Sequence, residues 1–193
     1  FTRAINLNNK KFDLKEPFKG LFTQGMVCHE TYKDQNNNWL NPDEVFSDNG
    51  KDYFIKSKPS EKAILGPSES MSKSKKNTID PEKMIEAYGA DAVRLFILSD
   101  SPPEKDIQWS ETGMTSAYKF IQKFWSISQN IIQIIEDESD KSINNEIEIF
   151  TNQSIEKINT ALEKFRYNVI IAVFHEIFNF FNKVSENKKN YKN

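Results

Sequence analysis

The side chains that could do chemistry are concentrated in residues 70–77 of this 193-residue chain, whose sequence is SMSKSKKN. Three lysines and three serine hydroxyls fall in this stretch, and no acidic residue interrupts it. Hydroxyls can donate hydrogen bonds to phosphate oxygens, and each lysine supplies a compact positive charge. A mobile loop of this kind could close over a polyphosphate and stabilise the charge that develops on a departing pyrophosphate. On composition alone, a solvated surface loop is the more common interpretation.

The residues that follow this loop carry helix signals. Asp80 and Pro81 predict a helix start, with aspartate as the N-cap and proline at the first helical position, and Gly89 predicts the end of that helix. Asp91 is expected to cap a second short helix, which ends at the Ser101-Pro102-Pro103 segment. The apolar residues that this second helix should turn inward are Val93, Leu95, Phe96 and Leu98.

The residues before the loop predict a small β-rich region. Glu16–Gly20 favours a short helix or turn, and the apolar run Leu21–Val27 favours a buried strand end. Further along, Val45-Phe46 and Tyr53-Phe54-Ile55 flank an Asp48-Asn49-Gly50 segment. Because Asn-Gly readily adopts positive φ, this pattern predicts a β-hairpin.

Three amphipathic helices are predicted beyond residue 110, the first of them capped by Ser110. The stripe of the first helix is Ala117, Phe120, Ile121, Phe124, Ile127, Ile131 and Ile135. The second carries Ile155, Ile158, Leu162 and Phe165, and the third carries Val169, Ile170, Val173, Phe174, Ile177, Phe178 and Phe181. The acidic connector Glu136–Glu148 is expected to be solvated. Together these helices predict part of a bundle, and each apolar face requires a partner, either here or in helices outside this chain.

Composition limits the function classes only weakly. The formal net charge is −2, but a protein that binds RNA needs basic residues only on the face that meets phosphate. The single cysteine, Cys28, excludes an internal disulfide, which fits a reducing cytoplasmic location. With two histidines, a structural zinc site is not expected. No apolar run approaches the ~18 residues of a membrane span. The start at Phe1, without a signal or transit segment, predicts a cut inside a longer chain.

Several of these segments resemble one enzyme family. Met71-Ser72-Lys73-Ser74 matches the last four residues of the Lys-Met-Ser-Lys-Ser motif of class I aminoacyl-tRNA synthetases. The continuation 75–81, and 88–91 with Arg94, resemble the same family. Residues 16–27 and 101–110 resemble the corresponding segments of the leucyl-tRNA synthetases within that class. Ser70 departs from the pattern, because the motif has its first lysine there.

The resemblance implies a chemistry for the loop. In this family leucine attacks the α-phosphate of ATP, which is accompanied by Mg²⁺, and the activated leucine then passes to tRNA(Leu). Lys73 is then the catalytic residue, an electrostatic clamp on the phosphates. ATP binding falls to Met71, Ser72, Lys73 and Ser74, with Lys75 or Lys76 able to compensate for Ser70. The companion His-Ile-Gly-His motif does not occur in this chain, so this stretch alone is expected to be inactive.

The resemblance also implies a fold and its divisions. The expected fold is mixed and α-dominated, with residues 1–110 forming the C-terminal end of a Rossmann-like catalytic domain. Within it, residues 33–69 are a leucine-specific-type β insertion, 70–78 the mobile ATP loop, and 80–110 the region that contacts the tRNA stem. Residues 111–193 are expected to be part of the anticodon-binding helical bundle. No structural metal, membrane association or obligate protein partner is expected.

Two alternatives remain open at this point. The chain could come from another class I synthetase, such as the methionyl, isoleucyl or valyl enzyme, although residues 16–27 and 101–110 favour leucine. It could also be a non-catalytic tRNA-binding helical module, an interpretation that gains if Lys73 is buried in a salt bridge.

Other residues that could suggest a site have simpler interpretations. Cys28 and His29 are adjacent on a predicted strand, where successive side chains point to opposite faces, so a structural role is favoured over a shared site. Packing is favoured for Trp109 and Trp125 over base stacking, and packing or solvent exposure for His175. For Arg94, an ion pair and a tRNA contact are equally weighted. The lysine-rich tail 183–192 is interpreted as a solvated helix end.

Overall fold

A computed structural model describes residues 1–9, 16–137 and 145–191 of the chain. The centre of the expected acidic connector, residues 138–144, lies outside the described residues, as do Lys192 and the side chains of Ile135, Lys188 and Lys189. The helices are α1 Thr2–Asn8, α2 Pro81–Tyr88, α3 Ala90–Ser99, α4 Glu111–Asp137, α5 Asn145–Glu163 and α6 Tyr167–Tyr191. The strands are β1 Val27–Lys33, β2 Trp39–Leu40, β3 Val45–Phe46, β4 Tyr53–Ile55, β5 Lys58–Ser70 and β6 Ile107–Gln108. The fold is mixed and α-dominated, as expected.

The sheet is organised around two long antiparallel strands. Its order is β2-β1-β5-β4-β3, and β6 pairs in parallel with β1. Strand β1 pairs with β5 from Cys28 opposite Ser70 to Lys33 opposite Ile64, so the end of β5 lies directly beside the start of β1. The predicted hairpin is confirmed, because β3 and β4 are antiparallel and Gly50 between them has a φ of 69°.

Two clusters of buried side chains form the core. The first joins α3, α4 and the segment before α4 through Ala92, Phe96, Trp109, Met114 and Ala117. The second lies in the sheet and consists of Tyr32, Val45, Ile55 and Ala63. The expected packing role of Trp109 is confirmed, since its ring meets the ring of Phe96 edge-on at 5.2 Å between centroids. Met71 of the lysine-rich loop packs against the first cluster, so the loop is attached to the helical core.

The predicted boundaries of α2 are confirmed, whereas the predicted cap of α3 is wrong. Asp80 accepts a hydrogen bond from the Glu82 amide at 3.0 Å, and Gly89, with a φ of 81°, ends α2. That positive φ already turns the chain, so Gly89 is also the N-cap of α3 and Asp91 falls inside the first turn. The Asp91 carboxylate therefore faces Arg94 one turn along, at 2.8 Å.

The segment before β1 also differs from its prediction. Glu16–Gly20 forms bends without a helix, and the stretch Leu21–Met26 is not a strand. Leu21 is 91% exposed and Met26 55% exposed, so this is not a buried strand end. The chain is held instead by the loop before β6. Gly25 donates to the Pro103 carbonyl at 2.8 Å, and a Cβ on Gly25 would lie 2.1 Å from the Lys105 carbonyl oxygen.

The three predicted long helices are present, and Ser110 caps the first by accepting a hydrogen bond from the Gly113 amide at 3.1 Å. Helix α6 packs against α3, α4 and α5. Its predicted apolar stripe faces these neighbours, with Ile170 and Val173 buried, although Val169 is 40% exposed. On α4, Ala117 and Ile127 are buried as predicted.

The apolar face predicted for α5 is only partly buried. Ser154 and Ala161 are the buried residues of α5, whereas Ile155 and Leu162 are 51% and 47% exposed. Small side chains at 154 and 161 form the close contact with α6. Because successive helical residues are rotated by about 100°, the larger residues at 155 and 162 turn aside. Phe165 is 46% exposed, with a positive φ of 54° just after the helix.

Trp125 on α4 is 69% exposed, so its predicted packing role is wrong. The residue lies two positions before buried Ile127, about 200° of helical rotation away, so it points to roughly the opposite side of the helix from that residue. It borders an apolar cavity of about 400 Å³ between α3, α4 and α6. Packing was expected from its residue type, because a large aromatic side chain on an amphipathic helix is usually buried.

Candidate functional site

The lysine-rich loop, defined here as residues 70–78, connects the end of β5 to the start of α2. Ser70 is the last residue of β5 and pairs with Cys28, and the Met71 amide donates to the Val27 carbonyl at 3.0 Å. A single 3₁₀ turn, Lys73–Lys75, follows, and Lys76 leaves it in the left-handed conformation with a φ of 54°. The loop therefore projects from the end of the β1–β5 pair, next to the start of β1.

Buried Asn77 fastens this loop to the sheet. The residue is only 1% exposed. Its Oδ1 accepts a hydrogen bond from the Ser72 amide at 2.8 Å. Its Nδ2 donates to the carbonyls of His29 at 3.2 Å and Glu69 at 3.1 Å. One amide thus connects β1, the end of β5 and the start of the 3₁₀ turn.

The three lysines of the loop differ in their surroundings. Lys75 forms an ion pair with Glu69, and both side chains are about one-third exposed, at 39% and 34%. Lys73 and Lys76 are exposed and have no ion-pair partner in the described part of the chain. Two positive charges are therefore free to meet an anion, and a third is shared with a carboxylate.

The hydroxyls of Ser72 and Ser74 lie side by side, with 2.7 Å between the two Oγ atoms. Ser74 is exposed and Ser72 is half-buried. Together with Lys73 between them, they present two donors and a cation on one short turn, a combination that suits phosphate oxygens. No carboxylate lies within residues 70–78, so the nearest acid in sequence is Glu69.

All four residues assigned to ATP binding therefore lie on the same turn or at its start. Met71 points into the helical core, while Ser72, Lys73 and Ser74 belong to the surface. Lys75 is poorly placed to replace the lysine charge that is missing at position 70, because it already pairs with Glu69. Lys76 has no ion-pair partner among the described residues. The contacts of Asn77 and Glu69 were not predicted from sequence. Their partners lie on another strand or across the loop, and no local pattern signals them.

The other residues considered from sequence lie apart from the loop or act structurally. Cys28 and His29 occupy successive positions of β1, and His29 Nδ1 lies 2.9 Å from the Glu30 carbonyl. In ranges 1–9, 16–137 and 145–191 no group of three His, Cys, Asp or Glu residues could hold a metal ion. Arg94 pairs with Asp91 on its own helix. The His175 ring lies on Phe120, with 3.9 Å between centroids.

The clear pKa shifts arise in the sheet region. Burial, together with a hydrogen bond donated to Glu30 at 2.8 Å, raises the pKa of Tyr32 far above its usual range, so this hydroxyl stays protonated. A hydrogen bond from the Asn38 side chain lowers the pKa of Asp34, and one from Lys62 lowers that of Asp52. These groups hold turns and strands together and do not contact the lysine-rich loop.

None of the helices described is both long and apolar enough to cross a membrane. The helical region does contain the 400 Å³ apolar cavity, whose polar rim is the Asp91–Arg94 pair. The cavity is lined by side chains of α3, α4 and α6 and does not include any residue of the lysine-rich loop.

Comparison with known proteins finds a family match over the lysine-rich loop and the two helices after it. The family model of class I tRNA synthetases (I, L, M and V) matches residues 66–110, which include the loop, α2 and α3. A leucine–tRNA ligase of Zymomonas mobilis is 41% identical over 179 residues, covering 93% of this chain and 20% of that protein. A leucine–tRNA ligase of Rickettsia massiliae is 45% identical, and the alignment covers 93% of this chain and 21% of that protein. A leucine–tRNA ligase of Maricaulis maris is 40% identical, and the alignment covers 95% of this chain and 22% of that protein.

A solved structure shares the fold. A chain from the ternary complex of Agrobacterium radiobacter K84 agnB2 LeuRS, tRNA and LeuAMS aligns with a TM-score of 0.65 and 20% identity. The alignment covers 97% of this chain and 20% of that one. The chain thus spans about a fifth of the length of the relatives it matches. The expected resemblance is confirmed: 93% of this chain aligns at 41% identity with a segment of a leucine–tRNA ligase, and residues 66–110 match the class I tRNA synthetase family model.

Proposed function

We propose that this chain is the part of a leucine–tRNA ligase that carries the loop closing over ATP and the first helices of its tRNA-binding region. The whole protein then activates leucine with ATP and transfers it to tRNA(Leu). The proposal is supported by 40–45% identity to several leucine–tRNA ligases. The observation that carries it is that Lys73, in the matched motif, is exposed on the loop and has no ion-pair partner among the described residues.

The chemistry proposed for the whole protein is an adenylation. A leucine carboxylate oxygen bonds to the α-phosphorus of ATP, and the bond from that phosphorus to the bridging oxygen breaks. Leucyl-adenylate and pyrophosphate result. Negative charge builds up on the departing pyrophosphate. A fixed positive group at that position lowers the barrier, because it stabilises the transition state more than the bound substrates.

Lys73 supplies that charge in the proposal. An ammonium without a competing carboxylate can approach the β- and γ-phosphates with its full charge, as a clamp and not as a proton donor or acceptor. Ser72 and Ser74 donate hydrogen bonds to phosphate oxygens, and their existing contact of 2.7 Å shows that both hydroxyls reach the same side of the turn. Met71 anchors the start of the turn in the helical core. Mg²⁺ enters with ATP as part of the substrate.

Lys76 is the better candidate to replace the charge missing at Ser70. Its side chain is exposed and unpaired among the described residues, whereas Lys75 already shares its charge with Glu69. The arrangement does not require a metal held by the chain itself.

The proposed divisions follow the same correspondence. Residues 1–110 form the C-terminal end of the Rossmann-like catalytic domain, with 33–69 as its leucine-specific-type β insertion and 70–78 as its mobile loop. Residues 80–110 contact the tRNA stem, and 111–193 begin the anticodon-binding bundle. The fold shared with a chain from a LeuRS–tRNA–LeuAMS complex supports tRNA, leucine and an adenylate as the ligands of the whole protein. A cytoplasmic location accords with the single cysteine.

The test is leucine-dependent exchange of pyrophosphate into ATP by the full-length protein. We expect the fastest exchange with leucine, and about 10–200-fold slower exchange with valine, which lacks one methylene. Exchange with isoleucine and methionine should also be slower, because their side chains differ from leucine in shape. Exchange that depends on one of the other amino acids would replace the leucine assignment. Binding of tRNA without any amino-acid-dependent exchange would favour the non-catalytic module instead.

A further inference from the structure

We propose that Asn77 is a positioning residue for the reaction, acting through Lys73. This inference rests on the proposed function, because it assigns to Asn77 the task of holding the 3₁₀ turn from which Lys73 reaches the phosphates. Asn77 bonds to the backbone amide of Ser72, whereas Lys73 and Ser74 are exposed on the other side of the turn's backbone. Its side chain points inward and is one of the largest fully buried ones in the described chain.

The hydrogen bonds of Asn77 connect the two ends of the turn. The Ser72 amide, immediately before Lys73, donates to Asn77 Oδ1 at 2.8 Å, and Asn77 itself lies just after the turn. The backbone on both sides of Lys73–Lys76 is therefore tied to one rigid point. The same side chain donates to the carbonyls of His29 and Glu69, so that this point is fixed on both long strands of the sheet.

Asparagine is well suited to this place. The side chain meets three backbone groups, namely one amide and two carbonyls, and a carboxamide offers an acceptor and two donor hydrogens on one planar group. Aspartate would keep the acceptor but present negative charge to two carbonyl oxygens. Alanine would leave all three groups in a buried place without these partners.

A fixed backbone turn matters because the ammonium of Lys73 is separated from that backbone by a flexible side chain. A flexible ammonium stabilises the transition state only when its backbone presents it within reach of the pyrophosphate. A displacement of about 1 Å at a positioning group can lower a rate by about 10²-fold. The left-handed conformation of Lys76 sits directly before Asn77, so the chain reverses next to its anchor.

The experiment is a double-mutant cycle of Asn77→Ala and Lys73→Ala in the full-length protein, measured by leucine-dependent pyrophosphate exchange. We expect Asn77→Ala to reduce kcat by about 10- to 50-fold, with the KM for leucine changed less than about twofold. In the Lys73→Ala background, Asn77→Ala should reduce kcat by less than about threefold, because the ammonium that Asn77 positions is already absent.

Thr31→Val is the matched control. Thr31 is also fully buried, and its Oγ1 donates to the Pro67 carbonyl at 2.9 Å, so it also ties β1 to β5 without touching the loop. We expect Thr31→Val to lower thermal stability but to give the same fold-change in exchange with and without Lys73. Hydrogen exchange in a peptide spanning residues 70–79 should speed up in Asn77→Ala and remain unchanged in Thr31→Val.

The outcomes separate this inference from the proposed function. If losses from Asn77→Ala and Lys73→Ala simply multiply, Asn77 is structural only and the inference is overturned while the function stands. If the wild-type protein shows no leucine-dependent exchange, the proposed function and this role of Asn77 fail together.

Discussion

Two polar loops of this chain, the hairpin loop 47–52 and the lysine-rich loop 70–78, have similar residue types and opposite construction. Both contain serine, asparagine and lysine, and both leave the same β-sheet. The hairpin loop contains two aspartates and one lysine, whereas the lysine-rich loop contains three lysines and no acid.

The hairpin loop is closed by contacts within itself. Asn49 Oδ1 accepts hydrogen bonds from the amides of Lys51 and Asp52 at 2.9 and 2.8 Å, and Ser47 Oγ accepts one from Gly50 at 2.9 Å. Asp52 is paired with Lys62 of the neighbouring strand at 3.0 Å. Its side chains are used mainly to stabilise the turn.

The lysine-rich loop is held from outside. Asn77 bonds to His29, which is 48 residues away in sequence, and Met71 packs into the helical core. Lys73 is left exposed on a turn whose ends are fixed. The two loops thus differ most in which charges the surrounding structure leaves unpaired, and the proposed role of the lysine-rich loop rests on that difference.

The largest predicted difference is between one lysine of each loop. Lys73→Ala should lower leucine-dependent pyrophosphate exchange by about 100-fold or more, as expected for a group aimed at transition-state charge. Lys51→Ala, an exposed lysine of the hairpin loop, should change it less than about twofold. Leucine binding should persist in both variants of the full-length protein. Equal effects of the two substitutions would return the lysine-rich loop to the class of ordinary surface loops.

A smaller effect is expected for the paired lysine. Lys75→Ala should lower exchange by less than about tenfold, because Glu69 already satisfies this ammonium and exposed ion pairs contribute at most about 1 kcal/mol. Glu69→Gln should lower the KM for ATP by about two- to fivefold, since it releases the charge of Lys75 toward phosphate. Measured KM values for ATP decide this. An increased KM in Glu69→Gln would contradict the role given to the pair.

The two asparagines offer a comparison of stability. Asn49→Ala should destabilise the hairpin by about 0.5–1.5 kcal/mol, seen as faster hydrogen exchange in residues 45–55, because two turn amides lose their acceptor. The pyrophosphate exchange rate should stay within about twofold of wild type, in contrast to Asn77→Ala. A large loss of activity in Asn49→Ala would mean that the two loops are coupled.

The smallest effects concern the backbone of each loop. Gly50 and Lys76 both have positive φ, at 69° and 54°. Gly50→Ala should destabilise the hairpin by about 1 kcal/mol, because an L-residue is strained there. Lys76→Gly should slow amide hydrogen exchange around residues 72–78, since it relieves that strain. The same substitution should lower the rate of pyrophosphate exchange, because a positive charge is lost. Faster local hydrogen exchange in Lys76→Gly would show that the lysine stem stabilises the turn.

Much of the fold could be predicted because its signals are local. The hairpin around Gly50, the caps at Asp80 and Ser110 and the end of α2 at Gly89 each depend on contacts within about four residues. The errors arise where packing decides. Asp91 does not cap α3, residues 21–26 are not a buried strand, and Trp125 is exposed. Residue type alone does not fix which side of a helix receives a neighbour.

The sequence by itself determined the turns, the helix ends and the motif that carries Lys73, since all of these follow from residue types a few positions apart. The tertiary structure alone decided that Asn77 anchors the loop, that Glu69 takes the charge of Lys75, and that Lys73 is left without such a partner among the described residues. It also decided which side of α5 is buried. Hydrogen bonds and packing between distant segments depend on how the strands and helices come together, and no local pattern encodes that arrangement.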